Sequence, residues 1–223
     1  MKRNIQQTAD GSHTISVAEM NVTYHSTYGA IQESMHVFIN AGLKPLLNTK
    51  DTLHVFEMGF GTGLNALLSL QTAIQHQQKI ICNAIELFPL EKEIYEQLNY
   101  AEQLNNQSLQ AYFTKMHLCN WEEDVQIHPL FTLHKSIVSL TDFTTTEQFD
   151  LIYFDAFDPA AQPELWTESI FKRLFSILAK DGVLVTYSSK GDVRRAMQAA
   201  GFKVEKLKGP QGKREMVRAV KII

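Results

Sequence analysis

Hydrophobic and polar positions divide the chain into two unlike stretches. Residues 1–50 hold runs rich in Ser, Thr, Asn and His. One alternating piece, Thr14-Ile15-Ser16-Val17-Ala18, reads as a strand or hairpin, and residues 31–41 read as a short helix that ends at Gly42. From Asp51 onward strand-like and helix-like patterns alternate. Residues 53–58 read as a strand and residues 64–73 as a helix. Residues 79–87 read as a second strand, and 89–104 as a helix with Pro89 near its start. Residues 131–139 give a third strand. The unbroken apolar run at 149–154 suits a strand buried on both faces. A helix at 163–178, a strand at 182–188 and a helix at 193–200 stopped by Gly201 follow. Residues 202–207 and 214–222 close the chain as a hairpin.

Strands alternating with helices imply βαβ units and a mostly parallel sheet, hence an α/β fold. The expected organisation is a small N-terminal extension, residues 1–50, on one domain, residues 51–223. Ligands of such sheets bind outside the carboxyl ends of the strands, at the point where strand order reverses.

Two stretches at that edge carry chemistry. Glu57-Met58-Gly59-Phe60-Gly61-Thr62-Gly63 follows a strand and opens a helix. Its glycines permit a tight turn and close approach of a ligand, and the helix N-terminus favours an electronegative group. The spacing is G-x-G-x-G, not the dinucleotide spacing, and Glu57 would repel a pyrophosphate. A carboxylate there suits a cationic amino-acid group, which points to S-adenosylmethionine (SAM), a cofactor with an ammonium, a sulfonium and no phosphate. Gly59, Phe60, Gly61, Thr62, Gly63 and Asn65 are the loop's candidate contacts. Glu86 ends the next strand, where a carboxylate can accept hydrogen bonds from a ribose diol. The second stretch runs Phe154-Asp155-Ala156-Phe157-Asp158-Pro159. Asp155 can accept the proton of an amine or orient it toward an electrophilic methyl group, and Phe157 can stack on a flat base. Asp158 reads equally as a turn residue, and Trp166 as packing.

These residues resemble class I SAM-dependent methyltransferases, which implies a Rossmann-like, mostly parallel seven-stranded sheet with a C-terminal antiparallel hairpin. A closer resemblance is carried by Asp155-Ala156-Phe157-Asp158-Pro159-Ala160 with Pro163-Glu164-Leu165-Trp166, Ser188-Ser189-Lys190-Gly191 with Val193-Arg194-Arg195, and Lys213-Arg214-Glu215-Met216. Tyr24-His25-Ser26 and Glu33-Ser34 add to it. Together they are similar to the methyltransferase domain of the tRNA 5-methylaminomethyl-2-thiouridine biosynthesis family (MnmC-like/MnmD). The resemblance implies SAM-dependent methylation of the 5-aminomethyl group of wobble (2-thio)uridine in the tRNA anticodon loop. It also implies a stand-alone form, because 223 residues leave no room for that family's flavin domain. Asp155 is then the catalytic residue and a cofactor contact, and Tyr24 and Phe157 meet the substrate. Three departures stand out. His134-Lys135-Ser136-Ile137 replaces a Gly-Asp that would face the adenine, with Asp142 as a substitute. Ala156 replaces a glycine, and Met20-Asn21-Val22-Thr23 replaces an acidic opening.

Charge adds a second theme. The chain is −3 overall, yet residues 180–223 hold 11 Lys/Arg against 4 Asp/Glu, a local +7. Lys190, Arg194, Arg195, Lys208, Lys213 and Arg214 are candidates for tRNA phosphates, with a solvated helix and hairpin as the alternative. Cys82 and Cys119 form no C-x-x-C pair, and the eight histidines show no metal-ligand spacing. No apolar run is long enough to span a bilayer. The expectation is therefore a cytoplasmic protein with no metal and no membrane partner. Two rival readings are a SAM-type transferase on a small amine, like the polyamine aminopropyltransferases, and a catalytically silent RNA-binding module on the same scaffold.

Overall fold

A computed structural model describes residues 2–222. The first three strands, β1 (Arg3–Gln7), β2 (His13–Val17) and β3 (Val22–Thr23), form a small antiparallel sheet. A helix follows, α1 (Ala30–Ser34), which runs on as a wide π-type helix over Met35–Leu43. Gly42 does not end it. A Cβ at Gly42 would lie 2.9 Å from Val185 Cγ2 and 3.3 Å from Leu151 Cδ1, so this glycine brings the helix close against the main sheet. Val37, Phe38, Ile39 and Leu43 accordingly share one core cluster with that sheet.

The main sheet is built from β4 (Thr52–Met58), β5 (Lys79–Ile85), β6 (Asp124–His128), β7 (Phe131–Ser136), β8 (Phe149–Phe154), β9 (Leu178–Thr186), β10 (Lys203–Lys208) and β11 (Glu215–Val220). Their spatial order is β10-β11-β9-β8-β4-β5-β7-β6. Strands β7, β5, β4, β8 and β9 are parallel, whereas β6, β11 and β10 pair antiparallel. The expected α/β architecture with a C-terminal hairpin is present, with eight strands rather than seven. The additional strand is β6, an edge strand in which only Ile127 is buried.

Helices cover both faces. Helix α2 (Leu64–His76) and α5 (Ser108–Leu118) lie with α1 over one apolar cluster, and α6 (Glu168–Ile177) and α7 (Gly191–Ala199) over the other. Continuous helix over residues 89–104 is not observed. It is broken into α3 (Lys92–Tyr95) and α4 (Tyr100–Gln103). Asn99 at the break accepts a hydrogen bond from His13 N and donates one to Gly11 O, which ties the break to the β1–β2 turn.

Strand register sets up the site. Met58 pairs with Ile85 on one side and with Phe154 on the other. The next residues along each strand are Gly59, Glu86 and Asp155. Three loops therefore leave the sheet side by side, where β5 and β8 diverge to either side of β4, which is the switch point at which α/β sheets bind ligands.

Candidate cofactor and acceptor site

The glycine loop is fixed from several directions. Gly59 N and Phe60 N donate to Ile85 O at 3.1 and 3.0 Å. Gly61 N donates to Glu86 Oε2 at 2.9 Å, and Glu86 Oε1 accepts from Phe88 N at 2.9 Å. Gly63 caps α2 with φ of 73°, a left-handed conformation that favours glycine. Behind the loop, Phe60 packs edge-on against His117 (5.2 Å), whose ring stacks on Tyr95 at 4.3 Å. The His117 Nε2–H donates to Thr62 O at 3.1 Å. Burial pushes His117 down to about 4, so the ring is neutral.

The N-terminal segment closes over the loop from outside. Tyr24 lies so close that a Cβ on Gly61 would meet its ring at 3.2 Å. His25, buried and held near 4 by desolvation, puts Nε2 2.6 Å from Thr62 Oγ1. Arg3 donates to Phe88 O, Pro89 O and Glu91, pinning β1 to the loop after β5.

These walls enclose a cavity of about 300 Å³, within the range of small-molecule sites. Gly59, Phe60, Gly61, Thr62, Asn65, Glu86 and Asp155, all expected at the cofactor, line it. Asn65 Nδ2 donates to Asp155 Oδ2 at 3.0 Å. Desolvation chiefly, then the nearby Glu33 charge, raises Asp155 to about 7; the Asn65 bond and Lys213 work against this rise. Glu57 lies one step behind the lining. It is 1% exposed, neither carboxylate oxygen has a hydrogen-bond partner among the described residues, and burial and Asp155 raise its pKa well above the carboxylate range. The buried Asn65 Oδ1 is likewise unpartnered among the described residues. Three carboxylates at or behind one wall, two of them elevated, suit a cationic ligand and disfavour a phosphate. The residues present therefore fit SAM.

At the far end the wall is Val138, Ser139, Leu140 and Thr141. The adenine-facing position expected within residues 134–137 is not there. His134 pairs with Asp124, Lys135 is buried and donates to Met116 O and His117 O, and Ile137 is exposed to solvent. Asp142 is not on the wall, since its carboxylate accepts from Ser139 Oγ. The rule that ligands meet the loop after each parallel strand points to residues 138–141; no side chain in that stretch announces itself.

A second cavity, about 310 Å³, shares Tyr24, His25, Ala156 and Phe157 with the first. Tyr24 and Phe157 meet edge-on at 5.2 Å. Its wall also includes Tyr28, Glu33, Asp158, Tyr187 and Lys213. Tyr187 OH donates to Ala156 O at 2.8 Å, and Trp166 Nε1–H donates to Phe157 O at 2.9 Å. Trp166 therefore packs as expected and also holds the loop that carries Phe157. Asp158 accepts from Ala160 N at 2.8 Å, as a turn residue does, and pairs with Lys190 at 2.7 Å.

The basic candidates separate. Lys190, Arg195, Lys208 and Arg214 are exposed, and Arg194 is half-buried with its Nε–H donating to Ser189 O at 3.2 Å. Arg195 pairs with Asp192 at 2.9 Å. Lys213 departs from the expectation. It turns inward to the buried Glu33 carboxylate and lies 3.8 Å over the Tyr187 ring. A buried carboxylate needs a partner, and that need draws this lysine off the outer surface.

Similarity to known proteins can be set beside this geometry. A curated relative, the tRNA 5-methylaminomethyl-2-thiouridine biosynthesis bifunctional protein MnmC of Ralstonia nicotianae, is 30% identical over 213 residues, covering 91% of this chain and 32% of that protein. The chain thus spans about a third of the length of the curated relatives it matches. The crystal structure of MnmC2 from Aquifex aeolicus superposes with a TM-score of 0.79 at 22% identity, over 98% of this chain and 69% of that one. Spermidine synthase from Thermotoga maritima gives 0.51 at 16% identity, over 98% of this chain and 69% of that one. Both structures share the fold. A family model described as S-adenosyl-L-methionine-dependent methyltransferase matches residues 95–222, more than half of the sequence. On that match, and with a cavity whose walls suit the cofactor, the chain belongs to the S-adenosyl-L-methionine-dependent methyltransferase family.

Proposed function

We propose that this chain transfers a methyl group from SAM to the primary amine of 5-aminomethyl-(2-thio)uridine at the wobble position of tRNA, giving the 5-methylaminomethyl product. The observation that carries this reading is the position of Asp155. It lies on the wall of the cofactor cavity, and its neighbours Ala156 and Phe157 line both cavities. The names of the full-length relatives supply the acceptor.

SAM supplies an already activated methyl group on its sulfonium, so the chain's task is placement. Glu86 and the glycine loop would hold the adenosine end, and Glu57, Asn65 and Asp155 the amino-acid end. Asp155 is then poised at the reacting nitrogen. Asn65 fixes Oδ2, and Oδ1 is left to accept the amine proton or orient the lone pair. Alignment of this kind turns a bimolecular displacement into an effectively unimolecular one. An alkylamine is mostly protonated at neutral pH, so its proton needs an acceptor. A carboxylate raised toward neutrality is a better acceptor than an ordinary one.

Tyr24 and Phe157 would meet the flat base. Lys190, Arg194, Arg195, Lys208 and Arg214 would contact phosphates of the anticodon arm, where single-stranded bases can be splayed out. The acceptor cavity is poorly suited to a polyamine: Glu33 is already paired with Lys213 and Asp158 with Lys190. That leaves a polycation no uncommitted carboxylate on this wall.

The test is methyl transfer from labelled SAM to tRNA whose wobble uridines stop at the aminomethyl stage, with unmodified transcript and spermidine-pathway amines as controls. Label confined to the aminomethyl uridine is the expected result. SAM binding without label on that nucleoside would overturn the assignment and favour a catalytically silent module; label on a polyamine would favour a small-amine N-methyltransferase, because aminopropyl transfer would need decarboxylated SAM and would leave the methyl on the thioether product.

A further inference from the structure

Glu33 and Lys213 lie 180 residues apart and meet on the wall of the acceptor cavity. Glu33 is 7% exposed at its side chain. One of its oxygens takes the Lys213 ammonium and the other accepts from Ser26 N at 2.8 Å. Lys213 also rests on the face of Tyr187. An ammonium has three N–H donors and no acceptor. One donor goes to Glu33, and no other hydrogen bond from Lys213 is made to a described residue. The pair is therefore a fixed, donor-rich edge on a cavity whose wall also carries Tyr24, Tyr28, Phe157 and Tyr187.

We propose that Lys213, held in place by Glu33, selects the acceptor's pyrimidine by donating a hydrogen bond to the C4 carbonyl beside the aminomethyl group. The inference rests on the reading above that the acceptor is a 5-aminomethyl uridine. On such a ring the two atoms flanking C5 differ: C6 carries hydrogen and C4 carries a carbonyl oxygen. The cavity wall holds both kinds of surface. Tyr24 and Phe157, in edge-on contact, supply apolar surface, and Lys213 on Glu33 supplies a charged donor for the ring edge that carries the C4 oxygen. Cytosine presents an amino group at C4. A donor-only residue cannot accept from it, so two donors would face each other in a partly dry site. A site built to hydrogen-bond one group discriminates strongly against an analogue that lacks it.

The experiment uses three synthetic anticodon stem-loops carrying, at the wobble position, 5-aminomethyluridine, 5-aminomethylcytidine, or a 5-aminomethyl pyrimidine with hydrogen at C4. Methyl transfer is read by kcat/KM with wild type, Lys213→Met, Lys213→Arg and Glu33→Gln, and SAM binding is measured in parallel. Wild type is expected to favour the uridine about 100-fold over both analogues, because each leaves the Lys213 donor without its acceptor. Lys213→Met should bring the three within about tenfold, mainly by losing rate on the uridine, whereas Lys213→Arg keeps most of the preference. Glu33→Gln should weaken selectivity partway. If wild type methylates the three equally, the inference is overturned and the methyltransferase reading stands. Undiminished preference in Lys213→Met also overturns it. If wild type binds SAM but methylates none of them, the acceptor reading itself fails. Equal rates on the C4-hydrogen analogue overturn the inference without any variant, and if Lys213→Met misfolds, an unchanged preference in Glu33→Gln overturns the claim that the pair sets it.

Discussion

Replacing Asp155 with asparagine should stabilise the protein, and should do so only as the pH rises. The folded-state carboxyl titrates at about 7, against 3.8 for an unperturbed aspartate. A carboxyl raised in the fold holds a proton that the unfolded chain has released. Its contribution is fully present below pH 3.8 and is lost as the pH climbs through 7. At ~1.36 kcal/mol per pH unit, the gap between those two values corresponds to about 4 kcal/mol. The asparagine of Asp155→Asn would keep the bond with Asn65 and would not titrate. Urea unfolding of both proteins between pH ~3.5 and pH ~8 measures the difference. Near-equality at the acid end should grow to a variant advantage of about 4 kcal/mol at the alkaline end. Glu57 adds to the trend, because Asp155 is one of the groups that raise it. The same substitution should lower methyl transfer ~10²–10⁴-fold, the usual contribution of a positioned acid–base group. A stability difference that stays constant across the pH range would refute the claim that desolvation raises the Asp155 carboxyl to about 7.

Other consequences follow from single contacts. Glu86→Ala removes the acceptor of Gly61 N and Phe88 N; calorimetry should show SAM binding weakened about 10–100-fold, and unchanged affinity would count against Glu86 as the loop's anchor. Gly42→Ala should destabilise the fold by about 1–2 kcal/mol despite alanine's better helix propensity, seen as a lower unfolding temperature, because its Cβ meets Val185 Cγ2 at 2.9 Å; a rise would show that the helix–sheet contact has slack. Lys208→Ala and Arg214→Ala should each reduce the salt slope of tRNA binding by about 1 while leaving SAM affinity alone, and an unaltered slope would place the RNA elsewhere.

How far the sequence reaches can be judged element by element. Strands β4, β5 and β8 were legible because buried parallel strands are written as apolar runs. Their register alone places Gly59, Glu86 and Asp155 together. Strand β6 was not legible, because an edge strand with one buried residue leaves almost no pattern. The break between α3 and α4 depends on Asn99 reaching back to residues 11 and 13, a contact outside any local window. Gly42 looked like a stop because a glycine's packing role depends on what lies across from it. The same holds at the site. His25 acts through Thr62, 37 residues away, and Glu33 through Lys213. Charge counting put Lys213 outside with its neighbours, whereas a buried carboxylate placed it inside. His117 and residues 138–141 carry no motif and became visible only once the glycine loop and β7 had been placed in space.

Strand β11 is inserted between β9 and β10 instead of being added at the rim. During synthesis, β9 therefore has an unsatisfied edge until residues 215–220 have been made. Its Val183, Leu184 and Val185 are apolar and finally buried, the type of segment that recruits neighbouring chains. The strand carries its own interruption. Lys180 and Asp181 sit within it, Asp181 at a positive φ of 60°, and its register with β8 shifts between Phe149 and Leu151. Charge and irregular pairing ahead of an apolar triplet act as gatekeepers against aggregation. Lys180 and Asp181 stand where such gatekeepers would stand, just ahead of the edge that β11 later fills.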